Sequence, residues 1–393
     1  METNPSSESF LRSQAFVQSL LLAGIFLVLF LPRLIPAPFL TSIEEEFGLT
    51  HAESGRIFLY MAVGYGLGLI CSGFAAQRLT HRGTVILAVF GVGTSMLLVG
   101  LVQHFLLLKL MLALVGGFCG MYVPSGISVL TSVVPERHWG KGLGVHETAP
   151  NSSFFLAPLI AAVAGGIITW RPVYASLGVA ALLMGIVFLL RGRGGNFHGE
   201  APGPRIALRL FSLPQFWILV ILFTAAASIA FGSYSILPLY LESEHGLSQS
   251  RANQLLSLSR IPCLAMVLAS GYILDRIGSK RTILAALITS GSMTVLIGLL
   301  QGVPLQAAVL LQPLLIVAYF PAGFAALSDF FHPETRNLAI SLIIPMSALL
   351  GTGVLPAVLG WLADLGLFPL GFVLHGAAVL VAASAVRFFS AGK

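Results

Sequence analysis

Apolar residues run along this chain in stretches of roughly 20, each closed by a short polar or glycine- and proline-bearing segment. The stretches fall at approximately 15–40, 56–76, 84–103, 105–132, 142–168, 172–190, 214–240, 252–274, 282–301, 304–330, 337–362 and 367–387, six in each half. A run of that length is what an α-helix needs to cross the hydrocarbon of a bilayer. The pattern therefore predicts an all-α membrane protein with twelve transmembrane helices. The first run is too long for the apolar core of a cleaved leader and lacks a small-residue cleavage site, so it is expected to be the first span. The longest polar stretch, from Arg191 to about Pro214, reads as a linker, and no soluble domain is expected.

The halves also match in sequence. At one offset of 198 residues Gly48-Leu49 answers Gly246-Leu247, Gly73 answers Gly271, and Arg78 answers Arg276. Arg82-Gly83-Thr84 answers Lys280-Arg281-Thr282, Pro135-Glu136 answers Pro333-Glu334, and Pro158 answers Pro356. A parallel internal repeat in an apolar chain is a recurring plan of secondary transporters. Residues 1–190 and 214–393 are thus expected to form two pseudo-symmetric six-helix bundles joined by a cytoplasmic linker, 191–213. Within the linker, residues 205–213 form a short basic amphipathic piece. Arg205 and Arg209 would lie near anionic lipid headgroups, or the piece simply joins the bundles. Gly64 and Gly68, like Gly116 and Gly120, are four apart, a spacing that lets helix backbones approach closely in lipid.

Composition sharpens this picture. Only 9% of residues are charged, 56% are hydrophobic and the mean hydropathy is +0.93, against about 25% charged in soluble domains. With both termini in the cytoplasm, 15 of the 21 Lys+Arg residues fall on the inner side, three (Arg56, Arg171, Arg251) outside, and three (Arg33, Lys109, Arg260) within spans. Glu44, Glu45 and Glu46 lie outside. That bias satisfies the positive-inside rule and places the chain in the cell inner membrane. The net charge of +6 then reports topology; no nucleic-acid partner is expected. Cys71, Cys119 and Cys263 are dispersed within spans, without disulfide or metal-ligand spacing. They are expected as core residues, with no metal and no cofactor.

Between spans eight and nine the chain reads Gly271-Tyr-Ile-Leu-Asp275-Arg276-Ile-Gly278-Ser-Lys280-Arg281. This resembles the signature loop G-x-x-x-D-R-x-G-R-[KR] of the major facilitator superfamily. The copy after span two, Gly73-Phe-Ala-Ala-Gln77-Arg78-Leu-Thr80-His81-Arg82, departs from it: Gln77 replaces the acid and Thr80 the glycine. That departure puts the family's usual charge lock in the first half in question. Pro135-Glu136-Arg137 and Pro333-Glu334-Thr335-Arg336 resemble the family's loops after spans four and ten. The resemblance implies two bundles around a central cavity that opens alternately to each side. Arg78, Arg82, Asp275, Arg276, Lys280, Arg281, Glu136 and Glu334 would be the conformational gating residues. Ala157-Pro158 with Ala161-Ala162 is a weak likeness to the family's antiporter motif, with alanines in place of glycines. No Walker sequence is present, which leaves ATP-driven transport without support.

An ionisable side chain at mid-bilayer costs on the order of 2.5–3.5 kcal/mol, so such residues are usually functional. Arg260 lies about nine residues into span eight, roughly 13 Å deep at 1.5 Å per residue. Arg33 is in the outer half of span one, and Lys109 is shallow enough to snorkel. Of the acids, Glu147 alone is clearly inside a span, with Asp329 at the edge of span ten. A net-positive interior attracts anions, and the guanidinium fork fits a carboxylate, nitrate or phosphate. Arg33 and Arg260 are therefore the expected substrate-binding residues, with Tyr122, Tyr234, Gln312 and Tyr319 as further polar candidates. Ser125, Ser233 and Ser347 are weaker ones. Glu147 with His146 is the candidate proton-coupling pair, and Glu147 shares a helix face with Asn151.

The expected function is secondary transport of a small anionic solute such as a monocarboxylate, with a proton as candidate coupling ion, by a monomer in membrane lipid. The charge placement is similar to the nitrate, cyanate and monocarboxylate branches of the superfamily. Two alternatives stay open: a proton-linked drug exporter, and a lipid-handling or sensor protein on the same fold. No nucleophile–base pair or metal cluster marks an enzyme.

Overall fold

The structure, a computed structural model, describes residues 10, 13–164, 168–199, 210–331 and 333–389, excepting the side chains of 268, 333, 334 and 337. Arg205, Arg209 and the Glu334 side chain, all invoked above, lie outside the described residues. In chain order the helices are α1 (Gln14–Phe30), α2 (Leu40–Phe47), α3 (His51–Leu101), α4 (Phe105–Val133), α5 (Trp139–Ala164), α6 (Trp170–Arg191), α7 (Pro214–Ala227) and α8 (Tyr234–Ser243). There follow α9 (Gln249–Leu299), α10 (Gly302–Leu311), α11 (Ile316–Phe330), α12 (Pro333–Ala348), α13 (Leu355–Asp364) and α14 (Phe368–Ala383).

Nine helical stretches among the described residues are long and apolar enough to cross a membrane. The sequence pattern led us to expect twelve separate runs, and the difference has physical causes. Neither α5 nor the first part of α9 is among the nine: His146, Glu147 and Asn151 lower the apolar character of the one, and Arg251, Asn253 and Arg260 that of the other. Helices α3 and α9 each run 51 residues, about 77 Å at the helical rise and far more than the ~30 Å hydrocarbon slab. Each therefore turns back, α3 at Thr80 and α9 at Gly278, the two positions inside them with non-helical backbone. Lipid-facing apolar surface is plentiful: Leu190, Val163, Val303 and Leu101 are each at least 75% exposed.

Close packing rests on missing side chains at the α3–α4 crossing. A Cβ on Gly64 or Gly68 would collide with the carbonyls of Ala113 and Gly117, and one on Gly116 or Gly120 with those of Met61 and Tyr65. In the second half, the helices around α7 and α12 pass through π-helical turns at Ser228–Ser233 and Leu349–Val354. The two turns cross where Gly232 meets the Gly351 carbonyl.

The first stretch of the linker is no loose tether. Residues 192–199 form a strap across the end of the first half that carries the Thr80 turn. That turn strips the amides of His81 and Arg82 of helical partners, and the strap supplies them: His81 N donates to Phe197 O (3.1 Å) and Arg82 N to Gly195 O (2.9 Å). The Thr80 hydroxyl accepts from Gly83 N at 3.3 Å, completing the cap. Gly199 N donates to Ala76 O, Gly195 N to Ser132 Oγ, and Gln18 Nε2 to Arg191 O. Gly194 (φ 79°) and Gly195 (φ 75°) are obligatory, since a Cβ there would strike Val133 and Val129.

At the opposite, acidic end the two halves are bolted together. Asp364 at the end of α13 accepts from the amides of His51 (2.8 Å) and Ala52 (3.1 Å), the first two of α3. Thr50 caps the third, at Glu53 N. Gln249 and Asn253 of α9 donate to Pro38 O, and Ser250 to Ala162 O. The Glu44 carboxylate is held by His51 Nδ1 at 3.0 Å and by the Ser54 hydroxyl.

Candidate functional site

Below the closed end, α1 gives way to a proline-broken segment whose short 3-10 turn, Leu31–Arg33, presents the Arg33 guanidinium inward. Its carbon lies 3.8 Å from the Tyr65 ring centroid and 5.2 Å from that of Phe30. It borders a small cavity of about 20 Å³, room for roughly one water, lined also by Phe58, Met61, Phe231, Ser235 and Thr352.

Arg260 is on α9 and is 5% exposed. Its guanidinium carbon sits 4.9 Å from the rings of both Phe154, on α5, and Tyr234, on α8. Among the described residues it has no carboxylate partner. Its Nε lacks any hydrogen-bond acceptor, and the neighbouring Tyr234 hydroxyl is also unpartnered. A buried cation without a counter-ion is costly, and the ring faces offset only part of that cost.

Arg33 lies over Phe30 and Arg260 over Phe154, and these two rings are neighbours. The path between the guanidiniums runs through rings: Phe30 to Phe154 at 6.0 Å, Phe154 to Phe231 at 4.8 Å, and Phe154 to Tyr234 at 5.1 Å. Phe30 and Phe154 belong to the first half of the chain, Phe231 and Tyr234 to the second. Sequence reasoning missed this cluster.

His146 and Glu147 are in contact, within a network that reaches α1 and α4. His146 is buried and stacks on Phe26 with centroids 4.5 Å apart. The Tyr122 hydroxyl donates to Leu22 O at 2.9 Å, so at its 3.1 Å contact with His146 Nε2 it can only accept. Nε2 therefore carries hydrogen, a tautomer assigned from the network. Nδ1 faces a Glu147 oxygen at 3.2 Å, and two acceptors cannot share that contact without one more proton. The geometry suits a shared proton at this contact. The Glu147 side chain is 54% exposed. Asn151 bonds the Glu147 carbonyl instead of its carboxylate.

The remaining candidates are placed elsewhere. Gln312 donates to Ile229 O and Thr294, both at 3.4 Å, and Tyr319 is buried against Phe223 and Phe320. Ser125 bonds Ser72 and His81, Ser233 contacts His375, and Ser347 bonds Val220 O. Lys109 lies over Tyr60 and Phe105. In the signature loops Arg82 and Lys280 meet carbonyls, and no basic residue there has a carboxylate partner among the described residues. Arg82 donates to Gly192 O, Phe188 O and Leu189 O, capping α6. Lys280 donates to Phe389 O past the end of α14. Arg276 bonds Tyr272, while Arg78, Asp275, Arg281 and Glu136 are exposed.

Comparison with known proteins adds the following. A family model described as Major Facilitator Superfamily matches residues 22–270 and 231–391. A D-galactonate transporter of Escherichia coli O6:H1 is 24% identical over 322 residues, covering 73% of this chain and 74% of its own. Multidrug resistance protein MdtG of a Rahnella species is 25% identical over 288 residues, covering 70% and 69%. Among solved structures, a bacterial homologue of the human lysosomal transporter Spinster, inward-facing and unoccupied, superposes with TM-score 0.80 at 17% identity. It covers 96% of this chain and 98% of its own.

Proposed function

The chain belongs to the major facilitator superfamily, and we propose that, as one of its secondary transporters, it moves a small organic anion of the monocarboxylate kind. Residues 1–190 and 214–393 form the two six-helix halves, twelve spans in all, alternating about the Arg33–Arg260 region. The basic loops and both termini face the cytoplasm of an inner membrane, the chain acts as a monomer, and the acidic end is the outer gate, shut in this conformation.

The single observation that carries the substrate sign is Arg260: a buried guanidinium with no carboxylate partner and an orphaned Nε, beside an unpartnered tyrosine hydroxyl. A carboxylate entering there satisfies both groups at once, whereas a cation adds repulsion. Arg33 supplies a second positive charge nearer the outer gate. The D-galactonate transporter among the relatives handles an acid by its name, which supports the same sign. The His146–Glu147 proton supports coupling to proton movement, with solute and proton entering or leaving together.

A second reading, efflux of lipophilic drugs, has support in the four-ring cluster and in the MdtG relative. A thermal-shift screen of the purified protein against small carboxylates and lipophilic cations, repeated with Arg260→Ala, separates the two. Stabilisation by acids that disappears in the variant is expected. Stabilisation by cations alone would sink the anion reading.

A further inference from the structure

Resting on that reading of Arg260 as the anion site, we infer that the solute is an aryl carboxylate or a comparably flat apolar acid, and not a polyhydroxylated one. Its carboxylate is held by Arg260 and its ring is seated among Phe30, Phe154, Phe231 and Tyr234.

Polar groups near the site are already used. Ser235 donates to Phe231 O, Thr352 to Ala348 O, Ser257 to Phe155 O and Ser259 to Leu256 O. What is left unpaired is the Arg260 Nε and the Tyr234 hydroxyl. Those four hydroxyls keep acceptor capacity only, so the donors left for a solute are the guanidinium and the Tyr234 hydroxyl, enough for one carboxylate and too few for a row of sugar hydroxyls. Two rings flank the guanidinium, Phe154 and Tyr234.

The rings are arranged as a seat. Phe154 meets Phe30, Phe231 and Tyr234 edge to face, with interplanar angles of 63°, 66° and 88°, the geometry aromatic pairs favour. Because two rings come from each half of the chain, any parting of the halves pulls this cluster open. A planar solute entering between them restores the edge-to-face contacts that the parting breaks. The cavity beside Arg33 holds roughly one water, so a solute must displace a side chain. Phe154 is the candidate: it is only part-buried and sits on α5 between the helix-weakening Pro150 and Pro158. Displaced outward, the Phe154 ring remains one wall of the seat, against the solute's ring.

The test uses the full-length purified protein with phenylacetate, pyruvate, D-gluconate and benzylamine as probes, read by calorimetric titration and thermal shift. Phenylacetate should bind at least fivefold more tightly than pyruvate, with D-gluconate weaker than both. Phe154→Ala should weaken phenylacetate about fivefold and leave pyruvate unchanged. Phe154→Leu, which keeps the volume without the ring, guards against a folding defect and should do the same. Binding of D-gluconate as tight as phenylacetate overturns the aryl class and leaves the anion reading intact. Equal weakening of pyruvate and phenylacetate in both variants overturns the ring seat. Binding of benzylamine alone, or of no acid, overturns the anion reading and the class with it.

Discussion

Thr80 and Gly278, 198 residues apart, adopt the same backbone: φ 71°, ψ 165° at Thr80 and φ 80°, ψ 164° at Gly278. Glycine alone occupies this region without strain. Thr84 and Thr282 even donate to the carbonyls of the two turning residues at the same 2.8 Å. The threonine persists because its hydroxyl caps Gly83 N.

Thr80→Gly is therefore expected to stabilise the protein by about 1 kcal/mol. Relief of about 1–3 kcal/mol of backbone strain outweighs the few tenths lost when a threonine cap becomes glycine. Gly278→Thr, with nothing within 4 Å of its Cβ, should destabilise through strain alone. Thermal unfolding in detergent reads both, and a drop in midpoint for Thr80→Gly would contradict the account.

Glu147→Gln keeps a hydrogen-bonding group beside His146 and abolishes the shared proton. Solute-driven pH change in weakly buffered proteoliposomes should vanish, while exchange of solute for solute persists. An unchanged pH signal would place coupling elsewhere.

Tyr122→Phe removes the donor to Leu22 O and the acceptor for His146 Nε2–H in one step. Two buried groups lose their partner, so a loss of about 2 kcal/mol in stability is expected, with pH-dependent transport altered as well. A neutral effect on both would mean the network is not as assigned.

Asp364→Ala frees the amides of His51 and Ala52, which Asp364 caps from the other half of the chain. The closed acidic end should lose about 1 kcal/mol, roughly a fivefold shift toward opening. Spin-label distances between the start of α3 and the end of α13 would widen in population; an unchanged distribution would remove Asp364 from the gate.

The repeat, the membrane class and the buried charges were legible because each leaves a mark in residue type or spacing. Arg260 stands out in an apolar run, and the offset exposes the Thr80–Gly278 pair. The aromatic cluster was not legible: where lipid and core both demand apolar side chains, Phe154 looks like any other of the 27 phenylalanines. The strap was missed for another reason. A glycine-rich polar stretch reads as flexible, and the bonds that take up the His81 and Arg82 amides are backbone to backbone, which side-chain identity does not encode. Arg82 and Lys280 were expected as gating residues, and their partners, the carbonyls at helix ends, leave no mark in residue type.

The strap also dictates how the protein can be divided. A first fragment ended at Arg191 would lack the carbonyls that His81 and Arg82 use, whereas one ended after Gly199 keeps them. Co-expressed pieces split beyond Gly199 should reassemble into an active carrier, and those split at Arg191 should not.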